Sequence, residues 1–165
     1  MVHKDFHAID WTTWVPTERA TLLFVIRDGE TLLIHKKRGL GAGKINAPGG
    51  RIEAGESAMA CAIREVEEEV RVTPQQVSQR GELFFQFTSG HSIHGYVFKA
   101  ESCDGDPQET DEATPFWVPL DEIPYDRMWA DDRLWVPLLL AGKTFMGKFL
   151  FDEDSMLGHD VKSSA

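Results

Sequence analysis

Cysteine is nearly absent from this chain of 165 residues: Cys61 and Cys103 are the only two, with no CxxC and no Cys/His ligand spacing. Neither a disulfide framework nor a zinc site is indicated. Basic charge is short as well. Seventeen Lys and Arg face 27 Asp and Glu, a formal net charge of −10. A nonspecific nucleic-acid binder draws its main attraction from a lysine and arginine surface, so no stable nucleic-acid complex is expected. Residues Met1 to Glu18 contain no apolar stretch of signal-peptide or membrane-span length, so the expectation is a cytoplasmic protein with no membrane partner. Internal repeats and low-complexity linkers are missing too. With 42% apolar and 27% charged residues, the chain suffices for one substantial core.

Carboxylates are abundant where they are least expected, within one short helix. On a 3.6-residue repeat Glu65, Glu68 and Glu69 stand at i, i+3 and i+4, beside an apolar sector of Met59, Ala62, Ile63, Val66 and Val70. Like charges at that spacing cost an isolated helix roughly 0.2–0.5 kcal/mol per pair, and a divalent ion reverses the sign. Oxygen-only ligands in a partly open geometry suit magnesium or manganese. A run such as Glu67-Glu68-Glu69 also decorates ordinary solvated helices, with Glu67 pointing away from the other three. Upstream, Pro48-Gly49-Gly50 offers a side-chain-free approach for a polyanion, and Arg64 is spaced to pair with Glu56 and fix the loop to the helix. Cys61, inside this helix, is expected to be a small buried residue.

Around this helix the pattern alternates short strands with a second helix. Ala20–Arg27 and Glu30–Lys36 flank Asp28-Gly29, a two-residue hairpin signal. Gly81–Thr88 and Ile93–Ala100 form a second strand pair, Phe116–Pro119 and Phe145–Phe151 further strands, and Asp131–Leu140 a helix with an acidic residue at its N-terminus. The sum is an α/β (α+β) fold with a mixed sheet flanked by helices. Trp11 and Trp14 either pack over the domain or meet a partner, with packing the expectation. Asp160 to Ala165 is small and polar and is expected to fray.

Gly50, five residues, Glu56, seven residues, Arg64-Glu65-Val66, one residue, Glu68-Glu69 resembles the signature of the Nudix hydrolases, which cleave nucleoside diphosphates linked to another moiety. The resemblance implies an α/β/α sandwich, here expected over 20–155 between an N-terminal extension, 1–19, and a C-terminal tail, 156–165. It departs at Arg71, where the family usually has the glycine that ends the helix left-handed, which implies a modest cost or a different exit. From about Thr21 to Phe151 the chain is similar to one branch, the MutT-like hydrolases of oxidised purine nucleoside triphosphates. The similarity runs through His35 to Asn46, Asp111-Glu112 and Met128 to Pro137, with departures at Leu40, Ile45 and Pro48.

That resemblance implies Mg²⁺-dependent hydrolysis of a nucleoside triphosphate to the monophosphate and pyrophosphate. The metal ligands would be Glu65, Glu68 and Glu69, with Glu112 a further ligand or base and the Gly49 carbonyl a possible donor; Glu65 and Glu68 compete with Glu112 as base. Arg64 belongs to the catalytic set, while Thr21, Lys36, Gly50 and Arg51 would serve the substrate's phosphate end. An 8-oxidised guanine demands both donors and acceptors: Asn46 carries one of each, and a proton shared by crowded Asp131 and Asp132 gives the other. Trp129 supplies a stacking face, worth roughly 1–3 kcal/mol per base in related settings. By default Asp131-Asp132 would be a helix N-cap, Asn46 a turn residue, and Trp135, Phe85 and Phe87 core. Rival readings are a Nudix hydrolase of nucleotide sugars, dinucleotide polyphosphates or RNA 5′ ends, and a nucleotide sensor without turnover. The sequence leaves monomer and dimer equally open.

Overall fold

The computed structural model describes residues 4–164. Its frame is a mixed sheet in the order β3-β2-β1-β6-β5-β8-β9, with β4 added on β1 and β7 on β2. The strands are β1 (Glu18–Arg27), β2 (Glu30–Lys36), β3 (Ile45–Asn46), β4 (Gly49–Arg51), β5 (Thr73–Phe87), β6 (Ser92–Asp104), β7 (Ala113–Pro119), β8 (Phe145–Asp152) and β9 (Ser155–Ser163). Helices α1 (Ala58–Val70) and α2 (Asp132–Leu140) complete it. The β1–β6 and β5–β8 pairs are parallel and the other pairs antiparallel.

Side-chain alternation along the strands makes the layers. From β1, Leu23 and Val25 join Ala62, Val66 and Val70 of α1, while Phe24 joins Trp135, Val136 and Leu139 of α2. The helices therefore cover opposite faces, the α/β/α arrangement expected. The β1–β2 turn has Asp28 at φ 53° and Gly29 at φ 74°, the two left-handed residues a tight hairpin of this twist requires.

Three details differ most from expectation, while Arg71 takes the costlier of its two expected alternatives. Strand β9 takes up most of the expected tail, 156–165, including residues 160–163, which were expected to fray, and pairs with β8 from Asp152↔Ser155 to Phe145↔Ser163; the backbone ladder of β8 holds it, and Met156 and Val161 pack against the core. Strand β5 begins at Thr73 rather than Gly81, because Thr73 to Gln79 continue the ladder with β6 across an irregularity near Gly81. In α1, Met59 remains exposed while Cys61 and Glu69 are buried beside Ala62, Val66 and Val70, so the covered arc reaches into the expected acidic sector. Arg71 itself takes the left-handed exit, φ 64°, ψ 30°, its N–H donating to Glu67 O. The extension packs against the domain: Trp11 lies 5.5 Å from Trp14 and Trp14 5.7 Å from Phe84, centroid to centroid.

Candidate active site

The end of the cleft nearest α1 is built by β4 against β1. Thr21 pairs with Gly50 and Leu22 with Gly49. A Cβ on Gly49 would overlap the Thr21 backbone carbonyl, so that position accepts only glycine, and one on Gly50 would push the Glu65 carboxylate from its place. The Gly49 N–H donates to Glu69 Oε1 at 2.8 Å. Thr21, buried, holds its hydroxyl 3.4 Å from Gly50 O and 3.5 Å from Cys61 Sγ, bracing the loop from beneath.

Arg64 organises the helix side. Its Nε and Nη2 donate to Glu56 at 2.6 and 2.9 Å, a bidentate pair, and Nη2 also reaches Arg51 O at 3.2 Å. Nη1 donates to Glu65 at 2.9 Å and Glu68 at 3.2 Å. The guanidinium holds Glu56 down to about 2 and is itself pushed up by that bond. Burial raises Glu65, and it raises Glu69 to about 8 against the opposing Gly49 N–H. Glu65, Glu69 and Glu112 line one cleft of about 570 Å³ with Lys36, Arg38, Gly49, Gly50 and Arg51. Glu68 lies outside that lining, half exposed and tied to Arg64. Glu112 meets Arg38 Nη2 at 3.3 Å, an arginine that sequence reasoning quoted in a landmark without giving it a role. Among the described residues no three His, Cys, Asp or Glu side chains form a ready-made metal cage.

The second end is a cavity of about 300 Å³ whose lining includes Leu40, Asn46, Phe85, Phe87, Ile93, Trp129, Asp131 and Asp132. Trp129 meets Phe87 and Phe151 edge to face at 6.1 and 5.5 Å, with Lys44 Nζ 5.2 Å over its ring. Gly41, at φ 82°, leaves room for the Trp129 indole, which a Cβ there would strike. Asp131 and Asp132 are 2% and 5% exposed. The N-cap reading of Asp131 does not hold: its backbone is helical and its carboxylate makes no cap bond, accepting instead from Trp135 Nε1 at 2.8 Å. Asp131 Oδ1 is buried without a partner. Burial raises Asp131 to about 6; burial and the Asp131 charge raise Asp132 well above the usual carboxylate range. The pair therefore keeps a proton near neutrality.

A glycine-backed acidic loop and helix, sharing one cleft with a buried aspartate pair, agree with what comparison finds. The profile of the NUDIX domain matches residues 16–139. The chain belongs to the Nudix family. It is 42% identical over 142 residues to the oxidized purine nucleoside triphosphate hydrolase of Danio rerio, spanning 86% of this chain and 88% of that one. To the Mus musculus protein of the same description it is 37% identical over 144 residues, 86% and 92% of the two chains. The crystal structure of the mutator MutT protein from Bacillus halodurans superposes with a TM-score of 0.79 at 27% identity, over 88% of this chain and 97% of that one. Nudix hydrolases generally use divalent metal cations. The donors here fit one: all are oxygens, and the glycines keep Cβ atoms clear of Glu65 and of the β1 backbone. Of the three departures from the oxidised-purine branch, Leu40 lines the base-end cavity, whereas Ile45 is a core residue and Pro48 only hands its carbonyl to Leu23 N–H. Among the described residues no helix is long and apolar enough to cross a membrane.

Proposed function

We propose that this Nudix protein hydrolyses oxidised purine nucleoside triphosphates, of the 8-oxo-dGTP kind, to the monophosphate and pyrophosphate, clearing the nucleotide pool in the cytoplasm. One observation carries the reading: Asp131 Oδ1 is buried and unpartnered at the edge of an aromatic cavity, beside an aspartate held protonated. An 8-oxidised guanine presents an O6 acceptor and N–H donors on the same edge. Asp132 donates to the acceptor, Asp131 accepts from a ring N–H, and the Asn46 amide matches the remaining donor and acceptor. Trp129 stacks on the ring. Lys36 and Arg51 hold the phosphates at the glycine loop. Mg²⁺, or Mn²⁺ in its place, held by Glu65, Glu68 and Glu69 with Glu112 and the Gly49 carbonyl, would neutralise charge on the phosphates and lower the pKa of the attacking water. Glu112, Glu65 or Glu68 would take that water's proton as its oxygen bonds to a phosphoryl phosphorus and the P–O–P bond between monophosphate and pyrophosphate breaks, and Arg64 keeps the loop and helix in register.

A kcat/KM panel over oxidised purine, ordinary purine and pyrimidine triphosphates tests the reading, with Glu68→Gln beside wild type. Preference for the oxidised purine, with pyrophosphate released by wild type and not by the variant, is the expected result. A flat panel would remove base recognition. Binding without pyrophosphate from either protein would make this a sensor.

A further inference from the structure

The N-terminal extension reaches the base-end cavity through the back of its wall. At the closed end of the β5–β6 hairpin, Phe85, Phe87 and Ile93 face the cavity, while the alternate residues Phe84, Gln86 and Ser92 face the extension. Trp14 Nε1 donates to Gln86 Oε1 at 2.8 Å and stands edge-on to Phe84. The Gln86 amide in turn donates to Phe87 O at 2.9 Å and His91 O at 3.2 Å, bridging the hairpin across its turn. Thr17 clamps the returning strand: its N–H donates to Ser92 Oγ at 2.9 Å, its hydroxyl donates to Ser92 O at 2.7 Å, and Ser92 N–H donates back to Thr17 Oγ1 at 2.9 Å. Ser92 Oγ donates to Val15 O at 3.3 Å. The hairpin's other side is tied to β8, Thr88 N–H donating to Phe151 O at 2.9 Å.

We propose that Trp14 and Thr17 are positioning residues for base recognition: the extension splints the hairpin end so that Phe87 and Ile93 stand at a fixed spacing from Trp129, matched to a purine ring. The proposal rests on reading that cavity as the base site. A hairpin end whose outer face is bare frays in its last rungs, and its inward residues move with it, because adjacent residues of a strand point to opposite faces of one backbone. Neither Trp14 nor Thr17 lines the cavity, so each acts through Phe84, Gln86, His91, Ser92 and the hairpin backbone, by the Trp14–Phe84 contact and the hydrogen bonds of Trp14, Thr17 and Gln86.

The test uses the full chain with Trp14→Phe, which keeps the ring and loses the indole donor, Thr17→Val, which loses the hydroxyl, and Thr17→Ser, which restores it. Kinetics are measured on an oxidised purine triphosphate and on a pyrimidine triphosphate, whose smaller ring cannot span both walls. Loss of a buried hydrogen bond is worth roughly tenfold in an equilibrium constant. KM for the oxidised purine should accordingly rise roughly five- to twentyfold in Trp14→Phe and Thr17→Val, with kcat and pyrimidine turnover within about twofold of wild type. Thr17→Ser should match wild type. Unchanged KM in a folded Thr17→Val protein overturns the splint, as does an equal loss on both substrates, the mark of simple destabilisation. Wild type failing to prefer the purine would instead sink the base-site reading, and the splint with it.

Discussion

At the α1 end of the cleft, one guanidinium is spread over Glu56, Glu65 and Glu68, and Glu65, Glu69 and Glu112 line a wide cleft with Lys36, Arg38 and Arg51. At the α2 end, Asp131 and Asp132 are buried among aromatic rings with each other and the Trp135 indole for company. The same functional group thus has two fates. Beside the Arg64 guanidinium Glu56 keeps its charge, while burial raises Glu65 and Glu69 at the same end, so that a cation would be needed to hold theirs; sealed among rings without a cation, the aspartate pair favours keeping one proton and with it a donor as well as an acceptor. A nucleotide has a polyanionic end and a neutral hydrogen-bonding end, and under the proposed function each would meet acids in the matching state.

If the two ends are separable, damage at one should leave the signature of the other intact. The largest effect belongs to Glu68→Gln, which should cut kcat about 10²–10³-fold, the range seen when one element of transition-state charge stabilisation is removed. The ratio of kcat/KM between oxidised and ordinary purines should stay at the wild-type value. A changed ratio would mean that the phosphate end also selects the base.

Asp131→Asn is the reciprocal experiment. The amide oxygen can still accept from Trp135, while the second position turns from acceptor to donor toward the base. The expected cost is about 1–3 kcal/mol on the oxidised purine, roughly 5–150-fold in kcat/KM. The divalent-cation concentration giving half-maximal rate should not move. Equal losses over the whole nucleotide panel would remove the aspartates from base reading.

The same substitution has a pH signature. Burial holds Asp131 at about 6, above the ordinary 3.8 of an aspartate, so the folded state binds this proton more tightly than the unfolded chain. The stability it contributes is full below the unfolded value and is lost as pH rises through 6; Asp132, raised further by its neighbour's charge, extends the loss upward. The melting temperature of Asp131→Asn minus that of wild type should grow between pH 5 and pH 8. A difference that is flat or falls would mean the pair is already ionised in the folded protein.

The two ends were not equally legible in the sequence. The α1 end rests on short-range facts: glycines, an arginine eight residues from Glu56, and glutamates at helical spacing, so the Arg64–Glu56 pair could be anticipated. At the α2 end, neighbouring aspartates before a helix carry the ordinary signal of an N-cap. Only tertiary packing of Trp135 and the α2 face turns Asp131 inward, and local spacing does not encode that. Strand β9 was hidden for a similar reason. Its three apolar residues, Met156, Leu157 and Val161, do not fall on one regular alternation, and its partner β8 decides its conformation. Strands β3 and β4, two and three residues long, are too short for any period, although the glycines of β4 had marked the spot.

The smallest effect comes from a residue that belongs to neither end. Arg71 holds φ 64° directly after α1, where a side chain costs a left-handed backbone strain that glycine avoids. Arg71→Gly should stabilise the fold by about 0.5–1 kcal/mol, net of glycine's extra chain entropy, and each kcal/mol corresponds to about 2–4 °C in Tm for a domain of this size. Because the Arg71 N–H already caps Glu67 O, the helix axis and the glutamates upstream keep their places in the variant, and kcat and base preference should be those of wild type. A stabilised protein with lower kcat would show that the strained exit tunes the glutamate face of α1, and the boundary between fold and site would then have to be drawn one residue further along the chain.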